Sequence, residues 1–208
     1  MASHPAIRPA AFIRYKFLNS LFLGLSVGAV FVLYTPLSPA VFSAGGLGLA
    51  LGTLIVATQY RRILAPAWFF RLSLLVELIT LSGVAAVLIL PIEVPLALFV
   101  YIGYQITFSL GSYLVRCETL LMVAVDQLRR LDVAKQAGYL LGMAVAWALY
   151  TGLERLADLT SEAAQVVSLH WLLLGVEVSV LIALWQAFNK DQLSDEPLTI
   201  GASPASEP

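Results

Sequence analysis

The chain has 208 residues, 60% of them apolar, with a mean hydropathy of +0.87, a formal net charge of -1 and only 12% charged residues. Soluble domains are about 45–50% apolar and about 25% charged, so a water-soluble globule is excluded, and a neutral balance gives no reason to expect nucleic acid as a partner. One cysteine, Cys117, excludes an internal disulfide and any cysteine-based zinc or iron–sulfur centre.

Apolar runs of about 20 residues are long enough to cross a hydrocarbon core as helix, and six occur, at 16–34, 40–59, 70–90, 95–115, 134–153 and 165–187. The expected fold is all-α: a polytopic membrane protein with six transmembrane helices. A six-helix domain, 16–188, follows a short segment, 1–15, and precedes a polar tail, 189–208, without periodicity and expected to be disordered. Tyr15, Tyr34, Tyr60, Trp68, Tyr101 and Trp171 lie near span ends, as in an interfacial belt.

The first span lacks a small-residue cleavage site, so no cleavable signal peptide is expected. It carries Asn19 near its start, expected to bond helix to helix, and Gly24, Ser26 and Gly28 further in. "TPLSP" then turns the chain into the second span, where Gly48 and Gly52 repeat the four-residue spacing that lets helix backbones approach in lipid. The loop "QYRRIL" holds Arg61 and Arg62. Glu77, Thr80 and Ser82 follow in the third span, with Glu77 expected about two turns from the cytoplasmic face and paired with Arg71 or a basic loop. After "LPIEVP", the fourth span places Gln105 near its middle.

Residues 116–133 concentrate charge, while Leu120, Leu121, Ala124, Leu128 and Leu131 recur at helical spacing. The pattern predicts an amphipathic helix on the inner membrane surface, with Glu118, Arg129 and Arg130 off the apolar stripe and an Asp126–Arg130 pair. Gly138 and Gly142 mark a third close-packing pair. In the last span Glu177 sits centrally, where an intramembrane acid is by default functional, and His170 falls seven residues earlier on roughly the same face. Glu177, His170, Gln105, Ser26, Thr80 and Ser82 together suggest a polar midplane layer serving a proton or solute path. The simpler alternatives are an acid hydrogen-bonded between helices and an interfacial histidine.

Orientation follows from the basic residues. With the N-terminus inside, the cytoplasmic segments hold Arg8, Arg14, Lys16, Arg61, Arg62, Arg71, Arg116, Arg129, Arg130, Lys135 and Lys190, leaving Arg155 outside. That asymmetry places both termini in the cytoplasm. Short loops and no organelle-targeting pattern suggest a bacterial inner membrane.

Enzyme signatures are not found. Ser112 and His170 invite comparison with rhomboid-type proteases, but they are expected near opposite ends of their spans, roughly 20 Å apart, where about 3 Å is needed. No phosphate-binding loop is present, and with His4 in the terminal segment no membrane metal or bis-histidine haem centre is expected, hence neither metal nor cofactor.

Six spans with both ends inside, the basic loop "QYRRIL" and the basic link "RCETLLMVAVDQLRRLDVAKQAGYLLG" resemble one six-helix half of a major facilitator transporter, over residues 14–188. The family's loop pattern, Gly-x-x-x-Asp-Arg/Lys-x-Gly-Arg, survives only as Arg61 and Arg62. The resemblance implies two inverted three-helix repeats and a substrate path between two halves, hence a homodimer or a membrane partner supplying the second half. Substrate-binding subunits of vitamin uptake systems share this size and topology. Two functions follow as expectations: a small transporter for a solute or ion, proton-coupled through Glu177, or a non-transporting accessory or scaffold subunit docking partners through Arg61, Arg62, Arg116, Arg129 and Arg130.

Overall fold

The computed structural model describes residues 6–122, 124–196 and 198. Among them the regular structure is helical: α1 (Pro9–Tyr34), α2 (Pro39–Thr58), α3 (Tyr60–Ile63), α4 (Pro66–Ile89), α5 (Val94–Ser109), α6 (Gly111–Leu121), α7 (Val125–Leu156), α8 (Glu162–Ala187) and a 3₁₀ turn, Lys190–Gln192. Proline starts α1, α2, α4 and α5, where its missing N–H costs no intrahelical bond and its fixed φ suits the first turn. α8 begins instead on a serine cap, Ser161 accepting from the Ala164 N–H, with Glu162 in the first turn. Both expected hairpin turns separate helices, and the turn before α8 closes through Asp158 at φ 51 and the Leu159 N–H donating to Leu153 O.

Five segments are long and apolar enough to cross a membrane: α1, α2, α4, α8 and the run Val94–Leu121, which joins α5 and α6 across Leu110. The expected fifth span, 134–153, lies inside α7, a helix of 32 residues that is long enough but too diluted by polar residues to stand with those five. The protein is thus a multi-pass helical membrane protein with five clear spans.

The stretch 116–133 is not one surface helix. It divides between the end of α6 and the first turns of α7, with Met122 and Ala124 out of helical conformation. Its leucines do not lie on lipid: Leu131 is buried, and Leu121 and Leu128 pack against a core of Phe12, Tyr15, Phe69 and Tyr113. Asp126 does bridge Arg130, at 2.8 Å, and also Arg129, at 2.8 Å. The hydrogen bond from Arg129, with Arg130 beside it, holds this exposed carboxyl below its usual range, so the interaction is present above pH 3.8 and fades on acidification.

The segment before α1 meets the segment after α8. The Arg8 N–H donates to Ala187 O and the Asn189 N–H to Ala6 O, both at 2.9 Å, putting both segments on one side. Part of the expected disordered tail is ordered: 190–192 form the 3₁₀ turn, Ala67 N–H donates to Ser194 O, and Arg71 pairs with Asp195 at 3.2 Å. Residues 199–208, like His4 and the rest of 1–5, lie outside the described residues.

Packing centres on α1, which contacts α7, α8 and α5; α8 also meets α4, α4 meets α5, and α2 leans on α5. Gly24, Gly138 and Gly142 put the α1 and α7 backbones in direct contact: a Cβ at Gly138 would strike Phe17 O, and one at Gly142 would strike Leu21 O. Gly28 faces the Tyr150 ring and Gly52 faces Ser109, whereas Gly48 meets nothing. No residue of α2 is buried.

Gly142→Leu is therefore expected to lower stability by about 1–3 kcal/mol or more through overpacking. Gly46→Leu, where a Cβ meets nothing within 4 Å, should be neutral in the same thermal unfolding measurement in detergent.

Candidate functional site: paired carboxyls inside the helix bundle

Where α1, α4 and α8 meet, four polar side chains leave the apolar pattern. Tyr15 and Asn19 are four residues apart on α1 and so share a face. Both point at Glu77 of α4: the Tyr15 hydroxyl donates to Oε1 at 2.6 Å, and the Asn19 amide lies 3.1 and 3.3 Å from the two carboxyl oxygens. The carboxyl of Glu177 on α8 lies close enough to that of Glu77 for the two to interact electrostatically. Glu77 is 1% exposed and Glu177 fully buried, and neither Glu177 oxygen receives a hydrogen bond from a protein donor. Few native polar groups are left this way, because a buried polar atom without a partner costs about 1–3 kcal/mol.

The two acids sit at matching depth. Glu77 lies about 17 Å along α4 from Pro66, and Glu177 about 15 Å along α8 from Ala187, at 1.5 Å per residue. Glu77 is thus deeper than expected, because α4 starts at Pro66 and not near residue 70. Its expected partner Arg71 turns away to Asp195. Asn19 bonds helix to helix, as expected.

A second cluster adjoins the first. Lys16, next to Tyr15 in sequence, forms an ion pair with Glu118 of α6, whose other oxygen lies 3.3 Å from Lys135 of α7. Lys16 and Glu118 are almost wholly buried, and the Lys16 ammonium also lies 5.0 Å from the Tyr15 ring centroid. Glu118, expected off the apolar stripe, ties α6 and α7 to α1. Nothing in its own helix foretells this, because its partners come from α1 and from beyond the break at 122–124.

The other expected site residues disperse. His170 is buried on α8, its Nδ1 2.7 Å from Val166 O, and lines a cavity enclosed by α1, α4, α5 and α8 together with Thr80 and Ser82. Thr80, Ser82 and Ser26 donate to carbonyls of their own helices, Val76 O, Ile79 O and Leu23 O, as short hydroxyl side chains commonly do in helices. Gln105 faces away, into the gap between α2 and α5, where its Oε1 is buried without a partner. Arg61, Arg62, Arg116, Arg129 and Arg130 are all exposed. The expected midplane layer is therefore three separate places, and among the described residues no chain of hydrogen bonds links His170 to Glu177. Tyr15, Lys16, Glu118 and Lys135 were not expected in any site. The one signal in the sequence was the position of Tyr15 and Asn19 on one face of an apolar helix.

No family model, curated protein or solved structure matches the chain.

Removing the carboxylate from the Lys16–Glu118–Lys135 group strands a buried ammonium. Glu118→Ala is expected to cost about 3–5 kcal/mol, whereas Lys16→Met with Glu118→Leu should recover most of it, as removing one partner costs more than removing both. Denaturant unfolding of the three proteins in detergent checks the order.

Proposed function

We propose that the chain is a small transporter-like membrane protein that works as a homodimer and carries protons on the Glu77–Glu177 pair. The observation that carries this reading is Glu177 itself, fully buried beside a second carboxyl with both oxygens unpartnered. One proton between the two acids supplies the missing hydrogen bond, and its departure removes it. Such a pair, buried among three helices, couples protonation to how α1, α4 and α8 pack, which is what a proton-driven conformational cycle requires.

The half-transporter architecture draws support from the helix pairings. Count α1, α2, α4, α5–α6, α7 and α8 as spans one to six, and exchange one with four, two with five and three with six. The pair α1·α7 then becomes α5·α2, and α1·α8 becomes α5·α4, while α4·α8 and α1·α5 map onto themselves; the small α7·α8 contact has no counterpart of its size between α2 and α4. Two inverted three-helix repeats have this property. The exchange also relates the two most uncovered helices: α2 has no buried residue, and α7 exposes Leu140, Leu141, Val145 and Trp147. A second copy would cover these faces as the missing half does in a two-half transporter. The basic-residue asymmetry supports an orientation with both ends in the cytoplasm, and the short loops without an organelle-targeting pattern support a bacterial inner membrane.

Two measurements test the proposal. Native mass spectrometry of gently extracted protein should give a homodimer of twice 22.5 kDa; a fixed-ratio complex with a different protein would favour the accessory-subunit reading. Infrared titration of the reconstituted protein should show a protonated-carboxyl band that disappears in Glu177→Gln and shifts in Glu77→Gln. A band unaffected by either substitution removes the proton-carrying role.

A further inference from the structure

The cavity at His170 has a chemistry the carboxyl pair does not use. It measures about 230 Å³ and is walled mainly by apolar side chains, among them Phe22, Val84, Phe99 and Leu173. Phe99, Ile102 and Ile106 of α5 line it and remain about half exposed.

Its polar groups are few and mostly committed. Thr80 and Ser82 donate to their own helix, and Thr107 donates to Tyr104 O. His170 differs. A carbonyl oxygen can only accept, so the 2.7 Å contact with Val166 O requires the hydrogen on Nδ1. In the neutral ring Nε2 then offers a lone pair and no hydrogen. Among the described residues the contact with Val166 O is the one hydrogen bond found for the ring, and none is found at Nε2.

We infer that this cavity binds a small apolar molecule carrying one O–H group, an alcohol or a phenol, held by a hydrogen bond to His170 Nε2. Both the volume and the single acceptor select the class. A dry apolar cavity of about 150 Å³ accommodates benzene, so by proportion this one takes about nine non-hydrogen atoms. A ketone or ether of the same size finds no donor at Nε2, and a larger polar solute meets apolar walls that cannot replace its water. The inference does not rest on proton transport, since binding here is measurable whether or not the carboxyl pair carries protons.

The chain has two histidines, so in a His4→Ala background, purified without a histidine tag, His170 is the only one. The ¹⁵N resonances of its ring are followed in nanodiscs during titration with 4-ethylphenol, a probe of the stated size. A saturable shift of Nε2 is expected, with Nδ1 little changed. Ethylbenzene should give no such shift alone yet, in excess, reverse the one caused by the phenol. Gly83→Leu should abolish the phenol shift while leaving the unliganded spectrum intact, because Gly83 lines the cavity and a Cβ there meets nothing within 4 Å. A phenol shift that is absent, that rises without saturating, or that ethylbenzene fails to reverse would overturn the assignment. Persistence of the shift in Gly83→Leu would do the same.

Discussion

Apolar side chains gain little by leaving hydrocarbon for a helix interface, so a bundle in lipid is held by close backbone approach and by polar contacts. Both kinds converge on α1. Its Gly24 face lets Gly138 and Gly142 bring α7 to backbone contact, and its Tyr15, Lys16 and Asn19 reach α4, α6 and, through Glu118, α7. The remaining helices take their positions from this one: α8 and α5 lie against it, α4 lies against those two, and α2 leans on α5 at the margin.

The two polar clusters hang from adjacent residues but differ in balance. Around Lys16 two ammonium groups flank one carboxylate, and burial there is compensated by opposite charge. That arrangement fastens the α6–α7 connection to the bundle and resists change, because breaking it strands a charge. Around Tyr15 two carboxyls share two neutral donors, both of which go to Glu77, and Glu177 is left without any. The two clusters thus differ in how completely their buried polar atoms are satisfied, although they hang from adjacent residues of α1.

The cavity at His170 adds a third element further along α8. His170 and Glu177 stand about 10 Å apart along the same helix, at 1.5 Å per residue. They face different chemistry, an apolar chamber for one and a second acid for the other. The shared-face reasoning that joined them in one proton path was sound as geometry, but it could not say what α4 and α5 would present to each.

Hydropathy alone determined that this is a multi-pass helical protein and where its main turns fall, because in lipid each helix must satisfy its own backbone and so announces itself locally as an apolar run. Glycines four apart likewise marked the α1–α7 seam before any partner was known. Local pattern failed where the decisive contact lay in another segment. Glu118 read only as lying off an apolar stripe until Lys16 and Lys135 were brought to it, Glu77 was expected to pair with Arg71 or a basic loop until Tyr15 and Asn19 claimed it, and α7 was counted as a span of the same apolar character as the rest. Only the tertiary structure decided these, for a physical reason: the environment of an ionisable side chain in a bundle is set by what the neighbouring helices carry at the same depth, and no periodicity within one helix records that.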